Sequence, residues 1–221
     1  MIELSHLSRE RCAFRPHRYL AHEKEQRDHI YLIQEGWAVR YRMIPDGRRQ
    51  ITALYLPGDL CDLGWLQDGH SDQIVTAVTP VIALALPCEM VNEECGDNPS
   101  VRAFAWREMF AAANRQSEWI VNLGRKKAIE RLSHLFCELY HRLHGKGLTV
   151  QAQYAMPLTQ VDLADIAGLT PVHVNRTLQE MRALGLIELR SKWLRIHDLE
   201  ALRLLGLFTA RTPARPSAMA A

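Results

Sequence analysis

Residues 159–178 read Thr-Gln-Val-Asp-Leu-Ala-Asp-Ile-Ala-Gly-Leu-Thr-Pro-Val-His-Val-Asn-Arg-Thr-Leu, which is two short helical patterns joined by a tight turn. Thr159 is a favourable N-cap for the first helix, and Asp162 places a carboxylate beside the free backbone N–H groups of its first turn. Gly168 stands where that helix must end, because glycine tolerates the left-handed backbone that helix ends need. Thr170 then caps a second helix, and the proline after it suits the first helical position. The pattern predicts a helix-turn-helix, whose second helix is suited to a DNA major groove.

Two strand-like runs follow the second helix and predict a β-hairpin. They are Leu186–Leu189 and Trp193–Ile196, on either side of Arg-Ser-Lys at 190–192. A hairpin in this place makes a winged helix-turn-helix, with cations at the tip where a phosphate backbone would pass. Capped helices around a glycine also occur in ordinary helical hairpins, so the wing is what favours DNA binding.

Residues 157–187, and above all Gly-Leu-Thr-Pro-Val-His-Val-Asn-Arg-Thr-Leu at 168–178, resemble the DNA-binding domain of the Crp/Fnr family of bacterial transcription regulators. Residues 30–59 resemble the family's β-roll sensor, and residues 102–140 resemble its long dimerisation helix and hinge. The resemblance implies an α+β protein with an N-terminal double-stranded, jelly-roll-like β-roll, a long dimerisation helix and a C-terminal winged helix-turn-helix. It also implies three partners: double-stranded DNA, a second copy of the chain, and RNA polymerase.

Composition and charge agree with this organisation. The 221 residues suffice for two modest domains. Acidic residues outnumber basic ones up to residue 124 and basic residues outnumber acidic ones after it, which fits a sensor joined to a nucleic-acid-binding domain. The sequence shows no secretory signal and no apolar run of membrane-spanning length, so we expect a cytoplasmic protein without a membrane partner. The five cysteines are an odd number at irregular spacing, which argues against a disulfide framework.

We predict domain boundaries from these patterns: a β-roll sensor at 1–98, a dimerisation helix and hinge at 99–124, a winged helix-turn-helix at 125–210 and a disordered tail at 211–221. Within the sensor, alternating runs predict strands of a sandwich or barrel at 30–33, 36–43, 49–56, 74–78 and 81–86. Asp46-Gly47 is the strongest hairpin signal in the chain. Residues 1–11 predict a short helix that packs Ile2, Leu4 and Leu7, and residues 18–28 show no clear pattern.

Residues 100–125 predict one long helix with a narrow apolar stripe. The stripe is made of side chains spaced three or four residues apart: Trp106, Phe110, Ala113, Ser117 and Ile120. A narrow stripe is typical of a two-stranded coiled-coil seam, although the same helix could pack on its own β-roll. Gly124 lowers helix stability by about 1 kcal/mol relative to alanine, so we predict a hinge at 122–125. Further helices are predicted at 128–143 and 198–205, with a short strand between 150 and 156.

Three side chains of the second helix are predicted to read bases. Arg176 points away from the apolar side of the helix, and a guanidinium there can form a bidentate pair with guanine, worth roughly 1–3 kcal/mol of discrimination. The alternative is an ion pair with Glu180, four residues on. Val172 could meet a thymine methyl group and His173 a base or a phosphate, unless both are simply exposed. Phosphate contacts are predicted at two helix N-termini and on the wing: Thr159, Thr170, Arg190, Lys192 and Arg195.

The predicted sensor site departs from the cyclic-nucleotide-binding members of the family. Those members carry Gly-Glu-Leu and, about ten residues later, Arg-Ser or Arg-Thr, which hold the ribose and the cyclic phosphate. The corresponding loop of this chain offers Asp59, Asp62, Ser71 and Asp72. The loop provides no cation for a phosphate, and its carboxylates would repel one. We therefore expect an effector pocket at these residues that does not bind cyclic AMP or cyclic GMP, and the cofactor is unknown.

Other cofactors and an enzymatic function have less support. Only Cys12 lies where iron–sulfur members of the family cluster their cysteines. His134, Cys137 and His141 share a helix face and could hold a metal, but such residues are more often buried or solvated, and we predict no metal site. The sequence contains no glycine-rich phosphate loop and no Gly-x-Ser-x-Gly elbow, so we expect no enzyme. The competing interpretation is a ligand-binding or interaction protein whose helix-turn-helix is a protein contact.

Overall fold

The structure is a computed structural model that describes residues 4–8, 10–23, 25–61, 63–64, 66 and 73–209. Contacts between residues divide the chain into two compact units, which are residues 1–126 with 157–175 and residues 127–156 with 176–221. The predicted tail at 211–221 lies outside the described residues. The predicted boundaries after residues 98, 124 and 210 follow sequence patterns rather than contacts, and they stay predictions.

The first unit contains two antiparallel four-stranded sheets. Their strands are β1 (Glu10–Phe14), β2 (Tyr19–Ala21), β3 (His29–Glu35), β4 (Ala38–Met43), β5 (Arg49–Tyr55), β6 (Leu60–Cys61), β7 (Ile74–Ala77) and β8 (Val81–Pro87). One sheet has the order β1-β8-β3-β6 and the other β2-β7-β4-β5. This is the predicted N-terminal β-roll, and the strands predicted between residues 30 and 86 are all confirmed.

Two glycines explain why the chain turns where it does. Gly36 separates β3 from β4 with φ +85°, and a Cβ there would lie 2.0 Å from the carbonyl oxygen of Pro80. Gly47 has φ +86°, and its N–H donates to the carbonyl oxygen of Ile44 in the β4–β5 hairpin. Both positions need the left-handed backbone that only glycine adopts freely, and the turn predicted at Asp46-Gly47 is confirmed.

The N-terminal helix predicted at residues 1–11 was wrong. Leu4 and Leu7 are buried as expected, but Leu4 precedes and Leu7 ends a single 3-10 turn at Ser5–Leu7, and β1 begins at Glu10. Five residues of β1 pair with β8, and this long-range pairing outweighs a weak helical pattern. Ile2 lies outside the described residues.

Two helices follow the sheets within the first unit. They are α1 (Cys88–Asp97) and α2 (Pro99–Arg125). The side chain of Asn98 starts α2 by accepting hydrogen bonds from the N–H groups of Ser100 and Val101. Val101 also belongs to the core of the β-roll, so α2 is anchored there at its first turn. The predicted long helix is confirmed. The helix continues through residues 122–125 and ends at Arg125, and the hinge predicted there stays a prediction.

The second unit is built on one long helix, α3 (Ala128–His144). A three-stranded antiparallel sheet lies with it, made of β9 (Gln153–Ala155), β10 (Ile187–Arg190) and β11 (Trp193–Ile196) in the order β10-β11-β9. A last helix, α6 (Leu199–Leu205), packs against α3. The two helices come closest at Gly206, the residue after α6, where a Cβ would lie only 2.6 Å from the backbone nitrogen of His134. The predicted helices and hairpin of this region are confirmed.

Candidate nucleic-acid interface

The first helix of the predicted motif is α4 (Gln160–Ala167), and its start is fixed by a reciprocal cap. The Thr159 hydroxyl accepts a hydrogen bond from the N–H of Asp162, and one Asp162 carboxylate oxygen accepts from both the N–H and the hydroxyl of Thr159. Gly168 ends the helix with φ 62°, in the left-handed region. The predicted cap and stop are confirmed. The hydroxyl and the N–H of Thr159 both donate to Asp162, and the predicted contact of Thr159 with a phosphate stays a prediction.

The second helix is α5 (Pro171–Ala183), and the turn before it is held by Thr170. The Thr170 hydroxyl accepts a hydrogen bond from the N–H of His173 at 3.2 Å, as expected for an N-cap. The amide of Asn175 donates to the side chain of Gln160 at 3.3 Å and so joins the starts of the two helices. The helix-turn-helix is therefore present with the predicted turn chemistry.

The two faces of α5 differ sharply in exposure. Val174, Leu178 and Met181 are almost completely buried. On the opposite side Val172 is 81% exposed, and His173 and Arg176 are exposed as well. A face that presents a guanidinium beside an apolar side chain, backed by a buried apolar face, has the composition of a groove-reading helix.

The alternative role for Arg176 was an ion pair with Glu180. Within the described part of the chain, Arg176 forms no ion pair, so its guanidinium is available to a ligand. The three predicted base contacts occupy a single exposed helix face, and their roles stay predictions.

The wing is a two-residue hairpin with an unusual tip. Arg190 lies opposite Trp193, and the two residues between them, Ser191 and Lys192, have φ of 51° and 61°. Two consecutive positive φ angles are the mark of a type I′ turn, which usually contains asparagine and glycine. The tip therefore keeps a lysine at the cost of local backbone strain.

All three predicted wing cations are exposed. Arg190 and Lys192 are at the tip, and the Arg195 guanidinium donates to the side chain of Gln153 at 3.2 Å. Trp193 was not among the predicted contacts, but it is also exposed and lies on the same face of β11 as Arg195. The alternation of buried and exposed residues along the strand could have revealed it.

The predicted dimer seam is exposed along its whole length. Trp106, Phe110, Ala113, Ser117 and Ile120 are all exposed on α2. Phe110 is 62% exposed, and its ring stacks on that of Trp106 with centroids 5.9 Å apart. The opposite face of the helix is buried through Val101, Ala105 and Trp119. The alternative in which α2 packs on its own β-roll thus holds at the first turn, where Val101 joins the core of the β-roll, and the seam is left uncovered.

Of the four residues predicted to line an effector pocket, only Asp59 lies in the described part of the chain. Asp59 is buried, and its carboxylate accepts a hydrogen bond from the N–H of Leu56 at 2.7 Å, which stabilises the turn before β6. Asp62, Ser71 and Asp72 lie outside the described residues. The pocket and its preference stay predictions.

The face of α3 that was considered for a metal site, with His134, Cys137 and His141, packs against Phe208. His134 and Cys137 are buried, and the rings of His134 and His141 both contact the ring of Phe208, with centroids 5.1 and 6.4 Å apart. Across the described residues, no three His, Cys, Asp or Glu side chains are grouped to hold a metal ion.

All five cysteines are free thiols. In the part of the chain that the structure describes, none of the helices combines the length and the apolar character needed to cross a bilayer.

Comparison with known proteins connects both parts of the chain to one family. Residues 11–98 match the model of a cyclic nucleotide-binding domain, and residues 130–205 match that of a Crp-like helix-turn-helix domain. The chain belongs to the Crp/Fnr family of transcription regulators. Like its relatives, this Crp/Fnr regulator is a DNA-binding transcription regulator rather than an enzyme.

Two curated relatives and one solved structure support the assignment to the Crp/Fnr family. The anaerobic regulatory protein of Haemophilus influenzae is 27% identical over 173 residues, which are 78% of this chain and 67% of the relative. The fumarate and nitrate reduction regulatory protein of Escherichia coli K12 is 26% identical over 177 residues, or 80% of this chain and 70% of the relative. FixK2 of Bradyrhizobium japonicum superposes with a TM-score of 0.80 at 23% identity, covering 91% of this chain and 98% of FixK2, which shows the shared fold.

Proposed function

We propose that this regulator binds an inverted-repeat operator as a homodimer and responds to a signal in its β-roll that is not cyclic AMP. The observation that supports the proposal most directly is the polarity of α5. Its apolar face is buried, while Arg176, His173 and Val172 are exposed along its first two turns. A buried interaction helix would need an apolar outer face, whereas a groove-reading helix needs donors and methyl groups.

The exposed seam of α2 supports the dimer. Apolar side chains at helical spacing on an exposed face are the expected signature of a two-stranded coiled coil. Two copies joined along α2 would present two copies of α5 about 34 Å apart, as successive major grooves require. Two-fold protein symmetry then demands a palindromic operator, and the wing cations Arg190, Lys192 and Arg195 would contact the phosphates beside each half-site.

The nature of the signal is inferred from charge. The loop that resembles the cyclic-nucleotide site contains Asp59, Asp62 and Asp72, and Ser71 stands where other family members place the arginine that holds the phosphate. A cyclic phosphate there would meet carboxylates instead of a guanidinium. We accordingly do not expect cyclic AMP or cyclic GMP to be the effector. RNA polymerase is the further partner that family membership suggests for a cytoplasmic regulator.

The proposal is tested by selecting DNA sites in vitro with the purified full chain and then comparing two arginine variants. We expect the selected sites to be inverted repeats. Arg176→Ala should bind the selected site about tenfold to a hundredfold less tightly and keep its salt-dependent binding to random DNA. Arg11→Ala is the matched control. It removes an exposed arginine of β1 that pairs with Glu35 on β3, and it should bind like the wild type.

Two outcomes would contradict this function. Selection of asymmetric sites by a protein that sediments as a monomer would reject the dimeric operator. Binding to DNA that does not weaken as salt increases would show that no phosphates are engaged, and the helix-turn-helix would then be a protein contact.

A further inference from the structure

The first residue of β5 holds the first helix of the motif. The guanidinium of Arg49 donates from Nε to a carboxylate oxygen of Asp165 and from Nη2 to one of Asp162, both at 2.6 Å. These residues lie in the same compact unit. The three side chains are only 26%, 20% and 14% exposed for Arg49, Asp165 and Asp162, so solvent screens their interaction less than that of a surface ion pair.

Two further contacts fix the geometry of this cluster. The guanidinium carbon of Arg49 lies 5.2 Å from the centre of the Tyr41 ring, which restricts the arginine side chain from β4. The amide of Gln50 donates to the carbonyl oxygen of Ile166 at 3.3 Å, near the C-terminal end of α4. Strand β5 is the edge strand of its sheet, and it contacts α4 at both ends of the helix. Arg49 binds Asp162 in the first turn, and Gln50 binds Ile166 near the C-terminal end.

The charge of α4 makes this contact relevant to DNA. Between Gln160 and Ala167 the helix carries two aspartates and no lysine or arginine. In a helix-turn-helix the first helix crosses the DNA backbone, where phosphates are dense. Two uncompensated carboxylates in that place would repel the phosphates, and one arginine halves their net charge.

Resting on the DNA-binding function proposed above, we propose that Arg49 is a positioning residue for DNA binding, which holds α4 on the β-roll and neutralises carboxylate charge on the helix that crosses the phosphate backbone. DNA affinity then depends on where β5 lies. A signal that displaces β5 uncovers the charge of Asp162 and Asp165 and weakens DNA binding. By linkage, bound DNA favours the arrangement in which Arg49 stays paired.

The test uses charge variants of the full-length protein on one selected operator. Arg49→Gln should weaken binding about tenfold at low salt, and the loss should shrink as salt is raised. Asp165→Asn should bind as tightly as the wild type or more tightly. The double variant R49Q/D165N should recover most of the lost affinity, because its net charge equals that of the wild type. Arg49→Lys keeps the charge and should lose little.

A matched control lies next to Arg49 in the same hairpin. Among the described residues, Arg48 pairs only with Asp46 at the exposed hairpin tip, so Arg48→Gln removes the same charge without touching α4 and should leave operator binding unchanged. Asp162 is left intact in all variants because it also caps α4.

The outcomes separate the inference from the proposed function. If D165N weakens binding as much as R49Q does, Arg49 acts only as a mechanical clamp, and charge compensation is rejected. If R49Q binds as tightly as the wild type, the contact has no bearing on DNA. If the wild type selects no DNA site at all, the DNA-binding function itself fails, whatever the variants do. Circular dichroism melting shows which variants remain folded, and D165N and R49K keep the test decisive should R49Q unfold.

Discussion

The hydroxyl of Tyr154 donates a 2.9 Å hydrogen bond to the carbonyl oxygen of Phe136, so strand β9 is tied to the middle of α3. Tyr154 is completely buried, and Phe136 is buried beside it. The second unit thus has a polar contact within its apolar interior, and the hydroxyl is satisfied there.

We expect Tyr154→Phe to lower the free energy of unfolding by about 1 kcal/mol, since it removes one buried hydrogen bond without leaving a cavity. Burial raises the pKa of Tyr154 well above its ordinary value of 10.0. Its stabilising effect is therefore complete below pH 10.0 and is lost as pH rises toward the folded-state pKa. Urea unfolding at neutral and alkaline pH measures both effects. An alkaline loss of stability that is equal in the wild type and the variant would show that Tyr154 does not titrate on unfolding.

Gly206 should tolerate no side chain. A Cβ there would lie 2.6 Å from the backbone nitrogen of His134, so Gly206→Ala forces α6 away from α3 and should cost roughly 1–3 kcal/mol of stability. Gly124 is the matched control, because nothing lies within 4 Å of its Cβ position in α2. Gly124→Ala should stabilise the protein by about 1 kcal/mol. Thermal unfolding of the two variants should give shifts of opposite sign, and shifts of the same sign would argue against a close helix contact.

The wing tip separates backbone strain from phosphate binding. Lys192→Gly removes a left-handed non-glycine residue and should raise the free energy of unfolding by about 1 kcal/mol. It also removes a predicted phosphate contact, so binding to operator and random DNA should weaken by the same factor, and the salt slope should fall by about one. Ser191→Gly relieves the same kind of strain without a change of charge and should leave affinity unchanged. Unequal losses on the two kinds of DNA would place Lys192 at a base.

The exposed seam of α2 predicts a variant that separates dimerisation from folding. Phe110→Glu introduces a charge into the stripe and should shift the protein to monomers in analytical ultracentrifugation. The far-ultraviolet circular dichroism should be unchanged, because the side chain is exposed within the protomer. Asn114→Glu adds the same charge to an exposed position beside the stripe and should remain dimeric. Dimers of F110E as tight as the wild type would place the interface elsewhere.

Acid should release α4 from its cap. Burial alone would raise the pKa of Asp162, but hydrogen bonds from Thr159 and then from Arg49 outweigh it and hold that pKa below its ordinary value of 3.8. The stabilising contribution is thus complete above pH 3.8 and is lost as pH falls through the lower, folded-state pKa. Asp162→Asn should be less stable at neutral pH and less sensitive to acid below pH 4 than the wild type. Glu188→Gln, on the exposed face of β10, should keep the wild-type acid profile.

The sequence predicted elements whose signals are local. Gly36 and Asp46-Gly47 mark turns that any strand pattern around them must obey, and Thr159 with Gly168 marks both ends of α4. Residue type alone requires these conformations, since positive φ and side-chain caps suit few residues. The exposed stripe of α2 was equally readable, because helical spacing separates its two faces.

Elements specified by distant partners were missed. Strand β1 forms by pairing with β8, whose residues lie about seventy positions away, and β2 forms by pairing with β7. Helix α1 begins after Pro87, and among the described residues no side chain caps it, so its start carried no signal. The contact of Arg49 with Asp162 and Asp165 joins positions more than a hundred residues apart, and no local pattern announces such a pair.

That pairing has a consequence for domain shuffling between regulators. Arg49 of the β-roll supplies the positive charge that pairs with Asp162 and Asp165 of α4. The β-roll and α4 therefore cannot be exchanged independently without a change in this charge balance. A chimaera that joins this helix-turn-helix to the sensor of another regulator would inherit two acidic side chains without their counter-charge, unless the donor sensor supplies a cation in the same hairpin. Whether a sensor domain is compatible with this helix-turn-helix would then depend on whether the sensor carries a cation at the position of Arg49.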